Sequence, residues 1–279
     1  MVSAKATSTG HAQSGTEWLD MHFQSARDEY EEALRYVGVQ TGWSVLDAGC
    51  GAGGFLPLMC QLVGSQGIVV ALDLAPENVA HLESLVRGGN LPANVQTRVG
   101  SLLSLPFEDA TFDCVWSANV MQYLSEAEFD QAVAEFKRVL KPGGTLAIKD
   151  IDDTLTQVFP MEPGVIARFG LARRAKSAQA GVLGVSCGST LPSRLRRAGL
   201  TNIRRKGWLV ERWAPVAPGT RNFLEAALSH WVSLAEQFDI SPADLGSLRE
   251  AAEYPSRLFD NPDFCWREGF VVAVGCVTT

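Results

Sequence analysis

The 279-residue sequence contains no apolar run long enough to span a bilayer, which excludes a transmembrane helix on composition alone. Its first fifteen residues, MVSAKATSTGHAQSG, lack the apolar centre of a signal peptide. They are polar and small, and residues 1–16 are expected to form a disordered leader. The six cysteines (Cys50, Cys60, Cys114, Cys187, Cys265 and Cys276) include no C-x-x-C pair. That spacing argues against a zinc ribbon or dithiol centre and for buried free thiols in a reducing, cytoplasmic setting. Histidine is scarce, at four residues, and no Tyr-x-x-x-Lys run of the kind that serves hydride transfer is present.

The net charge of −7 is uneven. Residues 1–150 and 215–279 are acidic, whereas residues 151–214 hold 11 Lys/Arg against 4 Asp/Glu. No interleaved aromatics accompany this basic stretch, so it is expected to be solvated helix and strand surface, with contact to nucleic acid or an anionic substrate as the alternative.

Apolar periodicity resolves the order of elements. Leu19, Phe23, Ala26, Tyr30, Leu34 and Val37 share one stripe and predict a helix over 17–37. From residue 43 to 151, short buried strands alternate with helices. This predicts right-handed crossovers and a mainly parallel sheet with helices on both faces. Ser125 and Glu128 form a capping box ahead of one helix. After Asp150 the rhythm breaks. Residues 152–192 and 220–253 read as helical, LPSRLRRAGL as a short helix, and NIRRKGWLVERWA and FCWREGFVVAVGCV as late strands. The expected organisation is a core over 17–151, with residues 152–279 adding late antiparallel strands at one edge. Helical insertions near 152–190 and 215–262 would then cap the ligand edge of the sheet.

The stretch VLDAGCGAGG fits two loop patterns at once. Gly49, Gly51 and Gly54 satisfy G-x-G-x-x-G, the dinucleotide fingerprint. Asp47, Gly49, Gly51 and Gly53 satisfy D-x-G-x-G-x-G. Asp47 separates them, because a carboxylate beside a pyrophosphate is repulsive whereas one beside an ammonium or sulfonium is attractive. Asp73, at the end of the second strand, suits the two hydroxyls of a ribose in either case.

VLDAGCGAGG, ALDLAP, LPFEDATFDCVWSANVMQYL and RVLKPGGTLAIKD stand in this order, and together they resemble a class I S-adenosylmethionine-dependent methyltransferase of the small-molecule type. The resemblance implies a Rossmann-like seven-stranded α/β fold with helical cap insertions. It implies S-adenosylmethionine as cofactor, S-adenosylhomocysteine as product, and no metal. Carried over by position, it implies that Asp47, Gly49, Gly51 and Gly53 line the methionine end, with backbone contacts from Ala48 and Cys50. Asp73 would take the ribose, Leu74 would lie against the adenine, and Ser101 and Leu102 would sit by its amino group. Ser117, Asn119 and Gln122 would close the pocket. Serine at 101, where relatives often carry aspartate, is a weaker acceptor for the exocyclic amine.

Methyl transfer from a sulfonium is an in-line displacement that depends on alignment in a dry site. His22 is the favoured base or acceptor-orienting group, with Tyr30 as a second orienting group and Arg27 as a partner for the cofactor carboxylate. No N/D-P-P-Y/F run ends the fourth strand, which argues against base-amino methylation, and no Pro-Cys dipeptide serves cytosine-ring chemistry. Aromatics in the insertions suit a flat aromatic acceptor, such as an indole or phenolic secondary metabolite. An RNA or protein methyltransferase is the alternative, resting on the basic stretch. A nicotinamide oxidoreductase rests on the loop alone. No membrane partner is expected, and a homo-oligomer is compatible with the sequence.

Overall fold

The computed structural model describes Ser8 and residues 14–278. Most of the expected leader therefore lies outside the described residues. Seven strands form one sheet: β1 (Ser44–Ala48), β2 (Ile68–Asp73), β3 (Val95–Val99), β4 (Phe112–Ala118), β5 (Leu140–Phe159), β6 (Thr201–Trp213) and β7 (Cys265–Cys276). Their order is β3-β2-β1-β4-β5-β7-β6. The first five are parallel.

Alternation along the strands sends neighbouring side chains into different cores. Val45, Val69, Cys114 and Trp116 pack on one face, with α2 (Arg27–Val37) and α3 (Leu56–Val63). Leu46, Val70, Val115 and Ile148 pack on the other, with α5 (Glu126–Val139) and α7 (Leu191–Arg197). The remaining core helix, α4 (Pro76–Arg87), links β2 to β3. The Ser125–Glu128 capping box forms as expected at the start of α5, worth about 1 kcal/mol.

A third apolar cluster joins α1 (Thr16–Ser25) to the late helices α6 (Pro163–Ala180), α8 (Pro218–Ala235), α9 (Pro242–Glu253) and α10 (Pro255–Phe259). Trp18, Phe169, Phe223, Trp231 and Trp266 are its large members.

Three expectations require correction. The single helix over 17–37 is two helices that break at Ala26 (φ −130°, ψ 23°). The carbonyl of Ser25 accepts from Arg212 Nε at 2.6 Å, and the Ser25 hydroxyl donates to the His22 carbonyl at 2.7 Å. Arg212 also grips Glu29 through two 2.8 Å bonds, which fixes the start of α2. Apolar periodicity carries no trace of that long-range clamp. The late strands are not all antiparallel edge strands either. β7 is antiparallel and inserted between β5 and β6, so the edge strand β6 runs the same way as β5. Finally, β5 does not stop near residue 151. It continues to Phe159, paired with Cys265 of β7, and the helical segment begins only at Pro163.

Candidate active site

The parallel strands end around a cavity of about 580 Å³. It opens where β1 and β4 are neighbours, with β2 and β3 on one side and β5 on the other, so the crossovers run in opposite directions from this point. Open α/β sheets bind ligands at such a crevice. α1 and α8 contribute Trp18, His22, Phe223 and Trp231 to its walls.

The glycine loop forms one end. Gly49 has φ +83°, and a Cβ there would come within 2.5 Å of Val120 Cγ2. The position therefore needs glycine for both conformation and space. The loop amides are largely committed. Gly49 N–H and Cys50 N–H donate to the Leu72 carbonyl at 2.8 and 3.0 Å, Gly53 N–H donates to the Cys50 carbonyl at 2.9 Å, and Gly51 N–H donates to Asp73 Oδ2 at 2.8 Å. A dinucleotide loop instead turns free amides toward a pyrophosphate. The amides used here, and two carboxylates alongside them, leave a poor anion site.

Asp47 is 1% exposed, and its Oδ2 is buried with no hydrogen-bond partner. Burial, and then the nearby Asp73, push its carboxyl up to about 8. Asn78 Oδ1 at the same end of the cavity also lacks a partner. Asp73 accepts from Gly51, Ala75 and Asn78, which holds both its oxygens in place. Leu74 lines the cavity with 56% of its surface exposed. An orphaned carboxylate, a fixed carboxylate and an open apolar platform match an ammonium-bearing sulfonium, a ribose and an adenine respectively. The donor set thus fits S-adenosylmethionine. Ser101 and Leu102 also line the cavity. The Ser101 hydroxyl accepts from Leu103 N–H at 3.1 Å, so it is partly used within its own turn.

In the same cavity His22 and Tyr30 meet. Tyr30 Oη lies 2.9 Å from His22 Nε2, and the His22 ring stacks on Phe223 with centroids 5.3 Å apart. Burial, followed by the charge of Lys149, lowers the imidazole to about 3. It is therefore neutral at physiological pH and a weak base. Lys149, near the end of the parallel run of β5, lies 3.9 Å from the Tyr30 ring centroid and 4.4 Å from that of Phe270. Its Nζ donates to Asn119 Oδ1 at 2.6 Å. Burial holds the ammonium well below the usual lysine range, with Asp150 and Glu268 opposing that shift. Gln122 lines the same region and donates through Nε2 to the Asn119 carbonyl at 3.2 Å.

Four residues expected in the site do not border the cavity. Arg27 is exposed on the first turn of α2. Ala48 is buried in β1, and Gly53 packs against Leu56 and Leu82. Ser117 is fully buried, and its hydroxyl donates to the Ala48 carbonyl at 2.8 Å, tying β4 to β1 beneath the loop. Sequence reasoning missed Asn78, Lys149, Arg173 and Glu268, all of which line the cavity. Lysine inside the apolar strand TLAIKDI was the available signal for the second of these. Among the described residues no group of three or more His, Cys, Asp or Glu could hold a metal ion, and no helix is long and apolar enough to cross a membrane.

The Rossmann-like sheet, the acidic end of β1, the committed glycine loop and the fixed Asp73 carboxylate converge on one cavity. Residues 45–144 match a family model described as a methyltransferase domain. The chain is 33% identical over 115 residues to a demethylmenaquinone methyltransferase of Lactobacillus johnsonii, covering 41% of this chain and 46% of that one. It is 31% identical over 134 residues to methyltransferase GfsG of Streptomyces halstedii, covering 46% and 47%. The chain spans about half the length of these curated relatives. The solved structure of Haemonchus contortus phosphoethanolamine N-methyltransferase 2 with S-adenosyl-L-methionine shares the fold, with TM-score 0.58 and 15% identity over 96% of this chain and 58% of that one.

Proposed function

We propose that the protein transfers a methyl group from S-adenosylmethionine to a small aromatic acceptor, such as a phenolic or indole-like secondary metabolite. The observation that carries this reading is Asp47 Oδ2, a buried carboxylate oxygen without a partner at the tip of β1. A cationic ligand there relieves its desolvation. A relative named as a demethylmenaquinone methyltransferase, and so for a small-molecule acceptor, adds support.

In this reading Asp47, Asp73 and Asn78 hold the cofactor, together with the loop residues Gly49, Cys50 and Gly51. When bound, the cofactor supplies an electrophilic methyl on a sulfonium with a neutral leaving group. Trp18, Phe223, Trp231 and Trp266, which line the cavity, hold the acceptor and exclude water. His22 and Tyr30, joined by their hydrogen bond, orient the acceptor. Lys149 takes the acceptor's proton at Nζ, since its neutral amine is favoured by burial and the imidazole of His22 is too weak a base for that role.

The test is turnover of a panel of phenols, indoles and aromatic amines with S-adenosylmethionine, reading S-adenosylhomocysteine by mass spectrometry. Turnover restricted to aromatic small molecules supports the proposal. Methyl incorporation into RNA or protein alone contradicts it.

A further inference from the structure

The Arg173 guanidinium on α6 borders the main cavity, yet it makes no hydrogen bond or ion pair to any described residue. Its electrostatic attractions, to Asp153, Tyr123 and Glu268, act at longer range. The neighbouring Arg174 takes Asp153 Oδ1 at 2.9 Å. Arg138, Arg168, Arg194, Arg212 and Arg221 each bond a carboxylate directly. The ring of Phe169 lies beneath Arg173, with 5.7 Å from guanidinium carbon to ring centroid. Burial disfavours its charge. An arginine held in this way lacks the bidentate partner its geometry suits best.

Arg173 also lines a second, smaller chamber of about 270 Å³, which shares Gln122 and Tyr123 with the main cavity. Among the described residues its walls include Lys176 and His230 and no aspartate or glutamate. No residue of the glycine loop borders it. The chamber is therefore an electropositive recess that adjoins the main cavity along Gln122, Tyr123 and Arg173. His230 is lowered to about 4 by burial and by Arg173, so it adds a neutral hydrogen-bonding group and not a third charge. Glu268 faces the main cavity, where burial raises its carboxyl toward the neutral form and weakens its competition for Arg173.

We infer that Arg173 and this recess form an anion subsite that holds a carboxylate carried by the methyl acceptor. The ring lies among the aromatics of the main cavity, and its carboxylate arm reaches the guanidinium. This rests on the methyltransferase reading and narrows it to aromatic acids.

The test pairs hydroxy- and amino-substituted aromatic carboxylates with their primary amides as acceptors. Kinetics are measured for the wild type, Arg173→Gln and Arg173→Lys, and S-adenosylhomocysteine affinity is measured by calorimetry. In the wild type the acids are expected to show KM values about 10- to 100-fold below the amides, the range of a charge-assisted hydrogen bond. Arg173→Gln removes that preference, while kcat and S-adenosylhomocysteine affinity stay within about twofold. Arg173→Lys restores part of the preference. Equal use of acids and amides by the wild type, or no turnover of any acid by a protein that binds S-adenosylhomocysteine, overturns the subsite. Loss of S-adenosylhomocysteine affinity in Arg173→Gln also overturns it, by assigning the guanidinium to the cofactor's own carboxylate. Failure of the wild type to bind S-adenosylhomocysteine defeats the methyltransferase reading itself, which is a distinct result.

Discussion

Lys149 Nζ donates to the side-chain oxygen of Asn119 at 2.6 Å, and the Asn119 backbone N–H donates to the Lys149 carbonyl at 2.9 Å. This double link closes the ends of two adjacent parallel strands. It holds Asn119 at a φ of +60°, a region that asparagine tolerates better than most residues. The lysine head is thereby fixed at the cavity wall, between two aromatic rings, with most of its hydration removed. Burial favours the neutral amine, so the base form accumulates as pH rises through a range well below that of an ordinary lysine. Activity is expected to rise with pH over that range. Lys149→Met should lower kcat about 100-fold with a small change in KM and flatten the pH profile. An unchanged kcat and profile in this variant would remove Lys149 from the chemistry.

Tyr30 and His22 are joined by a 2.9 Å hydrogen bond and an edge-on ring contact. Tyr30→Phe deletes one hydrogen bond and keeps the ring packed between Phe23, Phe55 and Phe270. The expected outcome is a loss of about fivefold in kcat/KM, the scale of one neutral hydrogen bond, with unchanged cofactor affinity. The measurement is steady-state kinetics beside S-adenosylhomocysteine calorimetry. His22→Asn should act in the same direction without shifting the pH profile, because the imidazole is already neutral above about pH 3.

In the proposed reading, Asp47 links cofactor binding to protons. Burial, and then the nearby Asp73, push its carboxyl up to about 8, against 3.8 for an ordinary aspartate. The folded protein retains a proton that the unfolded chain releases, so native stability falls as pH rises from about 4 to about 8. Asp47→Asn removes that dependence and should be at least as stable as the wild type at pH 8 in urea unfolding. The same variant should lose at least about tenfold in S-adenosylmethionine affinity. At pH 7 a bound cation ionises Asp47, so calorimetry in buffers of different ionisation enthalpy should report proton release. That release should vanish in Asp47→Asn.

Gly49→Ala combines a left-handed φ with a contact of 2.5 Å to Val120. The strain is expected to cost about 1–3 kcal/mol of stability, measured by denaturant unfolding. Because the loop must shift to relieve it, cofactor affinity should fall as well.

Much of this arrangement was legible in the sequence because its determinants are local. Strand alternation through residues 43–151, the Ser125–Glu128 box, and the Asp47 and Asp73 spacings are short-range patterns, and the fold places both acids at neighbouring strand ends. Features set by distant partners were not legible. The helix break at Ala26 depends on Arg212, 186 positions away in the chain, and the length of β5 beyond Asp150 depends on pairing with β7. Asn78, Lys149, Arg173 and Glu268 come from four separate elements or their ends, and only the closed fold brings them to one cavity. Ser117 illustrates the reverse case. Its position matches a pocket residue, yet its hydroxyl is spent on the Ala48 carbonyl.

The most direct test of the central claim is calorimetric titration with S-adenosylhomocysteine and, separately, with nicotinamide adenine dinucleotide, on the wild type and on Asp73→Ala. Binding of S-adenosylhomocysteine by the wild type, weakened at least about tenfold in Asp73→Ala, with no dinucleotide binding, is the expected result. Binding of the dinucleotide in its place would contradict the assignment of the loop and of Asp47.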